Sequence, residues 1–155
     1  MKQAIFNNLI NLSYPDDFKE LSDEENEKYF SGDLMRLSFH SEEKHVLMSI
    51  SKSKDSFMNR LVNVTSVLVG SVGNLESSLK EYKQIEEYES IIFDTNAITE
   101  CFEYLASDDG SRQYGELTIF KVRKAFYIIY CLSRYDNKEE AKKIFKDFRE
   151  SFKDE

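Results

Sequence analysis

The chain has 155 residues, of which 41% are hydrophobic and 14% aromatic; this excludes a wholly disordered protein and predicts a single domain over residues 1–155. Its formal net charge of −8 disfavours a nucleic-acid-binding protein, because a negative surface repels the phosphate backbone. No stretch reaches the roughly 18 apolar residues of a membrane span, and the N-terminus does not have the pattern of a secretion signal, so we expect a cytoplasmic protein without membrane contact.

The N-terminal part of the chain predicts a strand, a short helix and a hairpin. The strand covers Ile10–Phe18, and Pro15 places it at a sheet edge or ends it. Ser22 and Glu25 have the spacing of a capping box, which predicts a short helix. After a break at Gly32-Asp33, the alternating segments LMRLSFH and HVLMSISKS flank SEEK and predict a hairpin with a four-residue loop.

Apolar residues at spacings of three and four predict one long helix over residues 55–83. The apolar stripe consists of Phe57, Leu61, Val64, Leu68, Val72, Leu75, Leu79 and Tyr82. Gly70 and Gly73 are expected to kink this helix or to split it in two, with Asn74 capping the second piece. The β-branched first half, NVTSVLVGSV, leaves an extended conformation open as the alternative.

The C-terminal half predicts an antiparallel sheet followed by a helix. The strand-like segments are YESIIFDT, AITECFEYLAS, YGELTIFKV and AFYIIYCLS, with turns at residues 108–110 and 123–124. Asn137 and Glu140 mark the start of the last helix, whose apolar stripe is Ala141, Ile144, Phe145, Phe148 and Phe152. The predicted fold class is α+β: an antiparallel sheet of about six strands packed against helices, as an α/β sandwich.

Three features of this order are similar to those of a known superfamily. They are Tyr14-Pro15 near the end of the first strand, an early short helix, and an aromatic last strand, AFYIIYCLS, running into a helix that ends in FRESF. In these features the sequence resembles the superfamily of PsbP, the extrinsic photosystem II protein, and the Ran-binding Mog protein. The resemblance implies a PsbP-like sandwich and a non-catalytic adaptor. It carries over no functional residue, and the glycine expected before the last strand is absent from Val122-Arg123-Lys124.

Both histidines lie in the stretch FHSEEKHV, which raises the question of a metal site. His40 and His45 flank the predicted loop, and further ligands would have to be Glu42 or Glu43 at its tip. A zinc site needs three or four ligands in a closed geometry, and the stretch contains no cysteine or third histidine. We therefore interpret it as a charged turn and expect neither a metal nor a cofactor.

The sequence contains no recognisable catalytic motif. GxSxG, P-loop and GxGxxG patterns are absent, and Cys101 and Cys131 are typical of small, packed, reduced thiols in strands. We therefore expect no enzyme. The aromatic residues of the C-terminal strands are interpreted as core, or as a protein-binding patch if one face of the sheet is uncovered: Tyr104, Tyr114, Phe120, Phe126, Tyr127 and Tyr130.

Acidic residues are concentrated in the middle of the chain. Residues 76–109 contain ten Asp/Glu and two Lys, a net charge of −8, whereas residues 110–155 contain eleven basic and eight acidic residues, a net charge of +3. The acidic block is either a solvated surface that aids solubility or a docking face for a basic protein. The candidate partner-binding residues are Glu86, Glu87, Glu89, Asp94, Asp108 and Asp109, the first three of them on a predicted loop.

Two functions remain open from the sequence. The first is a non-catalytic protein-binding module, in one version an acidic immunity or inhibitor protein that neutralises a basic partner such as a toxin. The alternative is a small-molecule-binding domain with a sheet-lined pocket, in which tyrosines supply the polar groups. Neither the identity of the partner nor the oligomeric state follows from the sequence.

Overall fold

The computed structural model describes residues 1–30 and 34–154, and it is an α+β sandwich, as predicted. The strands are β1 (Lys2–Phe6), β2 (Ile10–Tyr14), β3 (Lys19–Glu20), β4 (Met35–Ser41), β5 (Val46–Lys52), β6 (Lys80–Ile92), β7 (Thr95–Leu105), β8 (Arg112–Val122), β9 (Ala125–Arg134) and β10 (Lys153–Asp154). The helices are α1 (Asp23–Tyr29), α2 (Val64–Ser78) and α3 (Lys138–Glu150). The main sheet has seven strands, against the six or so predicted, in the order β3-β4-β5-β9-β8-β7-β6. All of its strand pairs are antiparallel.

A second, three-stranded sheet has the order β1-β2-β10. The first predicted strand is shorter than expected, because β2 ends at Tyr14 immediately before Pro15. Strand β1 was not predicted at all. It pairs with β2 through a turn in which Asn7 and Asn8 have φ values of 55° and 52°, a left-handed conformation that asparagine tolerates well.

The predicted capping box and hairpin are confirmed. Ser22 Oγ accepts a hydrogen bond from the Glu25 amide at 3.2 Å, and a carboxylate oxygen of Glu25 accepts one from the Ser22 amide at 3.0 Å. Strands β4 and β5 form the hairpin, with the turn one residue later than predicted, at 42–45. The predicted break at Gly32-Asp33 lies outside the described residues.

The prediction of one helix over residues 55–83 is wrong. This segment forms a 3-10 turn at Phe57–Arg60, then α2, and then the first residues of β6. Helix α2 begins after Asn63, whose side chain accepts a hydrogen bond from the Ser66 amide at 2.8 Å. Gly70 and Gly73 both lie within α2 and do not split it.

The apolar stripe misled the prediction because it continues across a change of secondary structure. Leu79 and Tyr82 keep the helical spacing, but they follow Ser77 and Ser78, whose hydroxyls both donate to the carbonyl oxygen of Asn74 in the last helical turn. Serine hydroxyls that bond to a backbone carbonyl three or four residues earlier are mildly unfavourable to the helix that contains them. From Lys80 onward the backbone is paired with β7 instead.

Each face of the main sheet is covered by a separate hydrophobic core. On one face, called here the α3 face, α3 and the small sheet pack on Phe39, Met48, Tyr114, Phe120 and Tyr127. On the other, called the α2 face, α2 packs on Ile98, Phe102, Leu117, Ile119 and Phe126. The predicted stripe of α3 is confirmed, since Ala141, Phe145, Phe148 and Phe152 are buried. None of the helices in residues 1–30 and 34–154 is long and apolar enough to cross a membrane.

Candidate partner-binding surface

Strand β6 is an edge of the main sheet. It pairs with β7 on one side only, and the hairpin between them is closed by Phe93 and Asp94, whose φ values of 55° and 58° indicate a type I′ turn. This is a tight two-residue connection, and it sets the register so that Ile92 lies opposite Thr95. The outer edge of β6 therefore presents backbone N–H and C=O groups that form no hydrogen bond within the sheet.

The two halves of β6 differ in regularity. Between Lys80 and Glu86 the pairing with β7 has two register shifts, and Glu81 has a positive φ of 52°. From Glu86 to Ile92 the residues pair one for one with Cys101 to Thr95. The C-terminal half of β6 is thus a continuous, regular edge.

The prediction that Glu86, Glu87 and Glu89 lie on a loop is wrong, because all three belong to this regular half of β6. Their side chains alternate between the two faces of the sheet. Glu86 lies on the α3 face, and Glu87 and Glu89 lie on the α2 face. All three are exposed, and none forms an ion pair with any residue in the described part of the chain.

The other three predicted partner-binding residues lie in turns. Asp94 is in the β6–β7 turn, next to the acidic edge of β6. Asp108 and Asp109 are at the opposite end of β7, roughly 30 Å away along an eleven-residue strand. The Asp109 carboxylate accepts a hydrogen bond from the Ser111 amide at 2.9 Å, and its bonds to Ser111 lower the pKa of Asp109. Asp108 and Asp109 therefore stabilise the β7–β8 turn and do not share a surface with the glutamates of β6.

A cleft runs between β6 and α3. Its volume is about 350 Å³, and it is lined by Glu86, Tyr88, Ser90, Ile91, Ile92, Lys146, Arg149 and Glu150. It adjoins a larger groove of about 670 Å³ that continues to the β6–β7 turn and the C-terminal residues.

A buried polar network lies at the base of this cleft. The Arg149 guanidinium pairs with the Glu116 carboxylate and donates to the Tyr88 hydroxyl at 2.8 Å. The Tyr114 hydroxyl donates to the other oxygen of Glu116 at 2.7 Å. Burial raises the pKa of Tyr88 above its ordinary value, which keeps that hydroxyl protonated. The network ties α3, β8 and the edge strand β6 together.

On the opposite face, Glu100 is a buried carboxylate without a cation in the described part of the chain. Its oxygens accept hydrogen bonds from the Tyr82 hydroxyl and from Gln84 Nε2, the latter at 3.1 Å. Burial raises the pKa of Glu100, and the negative charges of Glu87 and Glu76 raise it further, while the bond from Tyr82 opposes the shift. Glu100 thereby holds the irregular half of β6 onto β7.

Solved structures match the fold, although no protein-family model and no curated protein matches the sequence. The cyanobacterial PsbP (CyanoP) of Synechocystis sp. PCC 6803 matches with a TM-score of 0.68 at 14% identity, covering 97% of this chain and 90% of that chain. The Ran-binding protein Mog1p of Saccharomyces cerevisiae matches with a TM-score of 0.62 at 8% identity, covering 97% and 93%. The chain has the PsbP/Mog fold. LpqN of Mycobacterium tuberculosis, involved in cell envelope biogenesis, matches with a TM-score of 0.57 at 13% identity, covering 94% and 82%.

The departure from the PsbP/Mog pattern before the last strand has a local explanation. Where a glycine was expected, Arg123 has a φ of 58° in the turn between β8 and β9. A left-handed conformation is what a glycine would have supplied without steric cost. The β8–β9 turn therefore forms without glycine, with Arg123 in a left-handed conformation that is less favourable for a residue with a side chain.

The two histidines lie at the end of the sheet away from the β6–β7 turn. His40 is in β4, and His45 is an exposed turn residue with a φ of 53°. They share an open groove of about 610 Å³ with Tyr104, Asp108 and other residues. Within residues 1–30 and 34–154, no group of three or more His, Cys, Asp or Glu side chains is placed to hold a metal ion.

Both cysteines are buried free thiols, as predicted. Cys101 and Cys131 lie opposite Glu116 on the two neighbouring strands of the α3 face. Burial raises the pKa of Cys101 to about 11 and raises the pKa of Cys131 as well. A thiol with a raised pKa is a poor nucleophile at neutral pH, so their surroundings are those of packed side chains.

Sequence reasoning missed the residues that organise the cleft. Arg149 follows Phe145 by four positions and therefore falls within the buried stripe of α3, between Phe148 and Phe152. Glu116 follows Tyr114 by two positions, so both side chains lie on the α3 face of β8. Arg149 and Glu116 have opposite charges, and both fall among core positions. That combination was the available signal for a buried ion pair.

Proposed function

We propose that the chain is a non-catalytic protein-binding module whose docking surface is the regular, acidic half of β6, residues 86–92. The observation that carries the proposal is that Glu86, Glu87 and Glu89 lie on a free sheet edge without an ion-pair partner in the described part of the chain. Carboxylates arranged in this way attract a partner of opposite charge and orient it before contact. A basic protein is the partner that this surface suits.

The PsbP/Mog fold supports a binding role in general terms. Mog1p is a Ran-binding protein, so this fold is used for binding another protein in at least that neighbour. The specific version of our proposal is an acidic immunity or inhibitor protein that acts in the cytoplasm. It would cover the positive cleft of a basic toxin, such as a nuclease, and compete with nucleic acid for it.

A small-molecule site is the second candidate, and one observation favours it. The cleft between β6 and α3 places the Tyr88 ring and the Arg149 guanidinium beside apolar Ile92 in a volume suited to a small ligand. However, the sheet-lined pocket envisaged from the tyrosines is occupied by side chains, because Tyr114 and Tyr127 are packed in the core. The clefts described above are grooves open to solvent, so the protein-binding module has the stronger support.

Affinity capture with two matched variants tests the proposal. Wild type, a β6 variant (Glu86→Lys, Glu87→Lys, Glu89→Lys) and a control variant are immobilised and exposed to native cell lysate at low and moderate salt. The control variant is Glu27→Lys, Glu42→Lys, Glu43→Lys, whose positions are exposed and distant from β6 in the sheet order. Each reversal adds two charges, so both variants change the net charge from −8 to −2.

We expect wild type and the control variant to retain the same basic protein, and the β6 variant to lose it. Retention should weaken as salt rises, because exposed charges are screened beyond about 10 Å at 0.1 M ionic strength. Equal retention by the β6 variant, or retention that ignores salt, would contradict the acidic docking surface. If wild type captures nothing specific, the proposal fails and native mass spectrometry of the purified protein would test the cleft.

A further inference from the structure

The outer edge of β6 offers hydrogen-bonding groups at alternate residues. In a hairpin with a two-residue loop, the residues that flank the loop form a hydrogen-bonded pair, so Ile92 bonds to Thr95. Because bonded and non-bonded pairs alternate in an antiparallel ladder, Tyr88 and Ser90 also bond to β7. The amide and carbonyl groups of Glu87, Glu89 and Ile91 therefore point away from the sheet.

The protection of this edge against added strands is uneven. Proteins block exposed edges with bulges, prolines and charged side chains, especially lysines. The irregular half of β6 has two register shifts, a left-handed Glu81, and Lys80 and Lys83. The regular half, residues 86–92, has no register shift, no positive φ and no lysine; its charges are those of the three glutamates, and its seven residues pair one for one with β7.

The side chains of the regular half select one kind of added strand. A second copy of this chain pairing antiparallel through the same residues would bring glutamates against glutamates, which is unfavourable. Glu87, Glu89 and Ile91 project from the α2 face at alternate positions, and Ile91 is 66% exposed. A segment with basic residues opposite the two glutamates and an apolar residue opposite Ile91 would form favourable cross-strand pairs at all three positions.

We propose that the basic partner binds by adding an antiparallel strand to the β6 edge, with two basic residues and one apolar residue at alternate positions. This inference rests on the proposed function, because it takes β6 as the docking surface and specifies how a partner uses it. Backbone hydrogen bonds to Glu87, Glu89 and Ile91 provide the attachment. The cross-strand side-chain pairs provide the selectivity.

The test is an NMR titration of the full chain with a designed peptide, acetyl-Thr-Val-Thr-Lys-Thr-Lys-Thr-amide. Paired antiparallel, its valine lies opposite Ile91 and its lysines lie opposite Glu89 and Glu87. One control peptide is N-methylated at the valine and both lysines, which removes the donors that face β6 and keeps the charge. The other control replaces both lysines with glutamates, which keeps the backbone and reverses the charge.

We expect the lysine peptide to shift the amide signals of Glu87, Glu89 and Ile91 and to slow their hydrogen exchange. The N-methylated peptide should bind about tenfold more weakly or worse, and the glutamate peptide should not bind. Ile91→Pro should abolish binding because it removes an outward amide, whereas Ile91→Thr should retain it. Ile91→Pro is expected to fold, because proline is tolerated where the amide faces away from the ladder.

The outcomes separate this inference from the proposed function. Equal binding of the N-methylated peptide, or unchanged binding by Ile91→Pro, would overturn strand addition and leave charge-driven docking intact. Equal binding of the glutamate peptide would overturn both. If the lysine peptide does not bind wild type, strand addition of a basic segment is wrong, and the capture experiment with the β6 variant decides the proposed function separately.

Discussion

Replacing Arg149 with methionine tests whether the buried network at the base of the cleft holds the fold together. The Arg149 side chain is 8% exposed and that of Glu116 is 4% exposed, so both charges are shielded from water. In Arg149→Met, the Glu116 carboxylate loses its cation and, within the described part of the chain, keeps the hydrogen bond from Tyr114, at 2.7 Å. Leaving one buried charge without its partner costs about 3–5 kcal/mol, whereas replacing both partners with apolar residues is often neutral or stabilising.

The free energy of unfolding of a domain is about 5–15 kcal/mol, so this loss is a large fraction of the total. Urea unfolding followed by far-UV circular dichroism measures it, since the chain has no tryptophan for fluorescence. Lys146→Met is the matched control, because it removes the same charge from the same helix, and the ion pair that it breaks among the described residues is an exposed one with Glu150 at 3.9 Å. We expect that control to cost at most about 0.5 kcal/mol, as i,i+4 surface pairs do.

The double variant Arg149→Met, Glu116→Met completes the test. We expect it to recover most of the stability lost in Arg149→Met, because no unpaired charge remains in the core. Two results would refute the reasoning: a loss below about 1 kcal/mol in the single variant, or a double variant as unstable as the single one. The first result would mean that the buried pair contributes little to stability. The second would mean that the loss comes from the missing Arg149 side chain and not from an unpaired Glu116 carboxylate.

Three further variants test separate parts of the fold by urea unfolding. Gly73→Ala should stabilise the chain by about 0.5–1 kcal/mol, because an added Cβ meets no atom within 4 Å and glycine is a poor helix former; a destabilised variant would contradict this. Gly115→Ala should destabilise it by about 1–3 kcal/mol, because the Cβ would lie 2.7 Å from Cε2 of Phe102; an unchanged free energy of unfolding would show that the ring moves aside. Glu100→Gln should be more stable than wild type at neutral pH, and the difference should shrink as pH falls. The pKa of Glu100 is raised in the folded state, so on acidification the folded state takes up the proton before the unfolded state does. Wild type therefore gains stability relative to the variant as pH falls. A difference that is constant or grows on acidification would contradict the buried-carboxylate interpretation.

The parts of the fold that were predictable from the sequence are those with local signals. The capping box at Ser22, the alternating residues of β4 and β5, and the apolar stripe of α3 all depend on neighbours in sequence. The helix over 55–83 was wrong because an apolar spacing of three and four also fits a helix followed by a strand. What ends α2 at Ser78 is pairing of the next residues with β7, which is a tertiary interaction.

The candidate surface was predictable in composition but not in geometry. The density of glutamates around residues 86–89 was visible, yet a segment with Glu, Lys and Gln has low strand propensity, and this favoured a loop. Grouping Asp108 and Asp109 with these glutamates rested on proximity in sequence. An extended strand separates them, since eleven residues of β7 span most of the length of the sheet.

Polar side-chain contacts fix strand β6 from both faces of the sheet, and this bears on how it would bind. Only Ile92 of its thirteen residues is buried. On the α3 face the Tyr88 hydroxyl accepts a bond from Arg149, and on the α2 face Tyr82 and Gln84 donate to Glu100. A strand fixed from both faces offers a partner an ordered edge, which lowers the entropic cost of association.

Arg149→Met should therefore weaken binding of the lysine peptide, although Arg149 is on the α3 face and does not contact the outer edge. Electrostatics alone predicts the opposite, because removing a positive charge makes the site more favourable for a cationic peptide. Lys146→Met removes the same charge but leaves the Arg149–Tyr88 hydrogen bond in place, so it should leave binding unchanged or strengthen it. The peptide titration with both variants separates the two effects. Stronger binding by Arg149→Met would mean that charge, and not the ordering of β6, controls recognition at this edge.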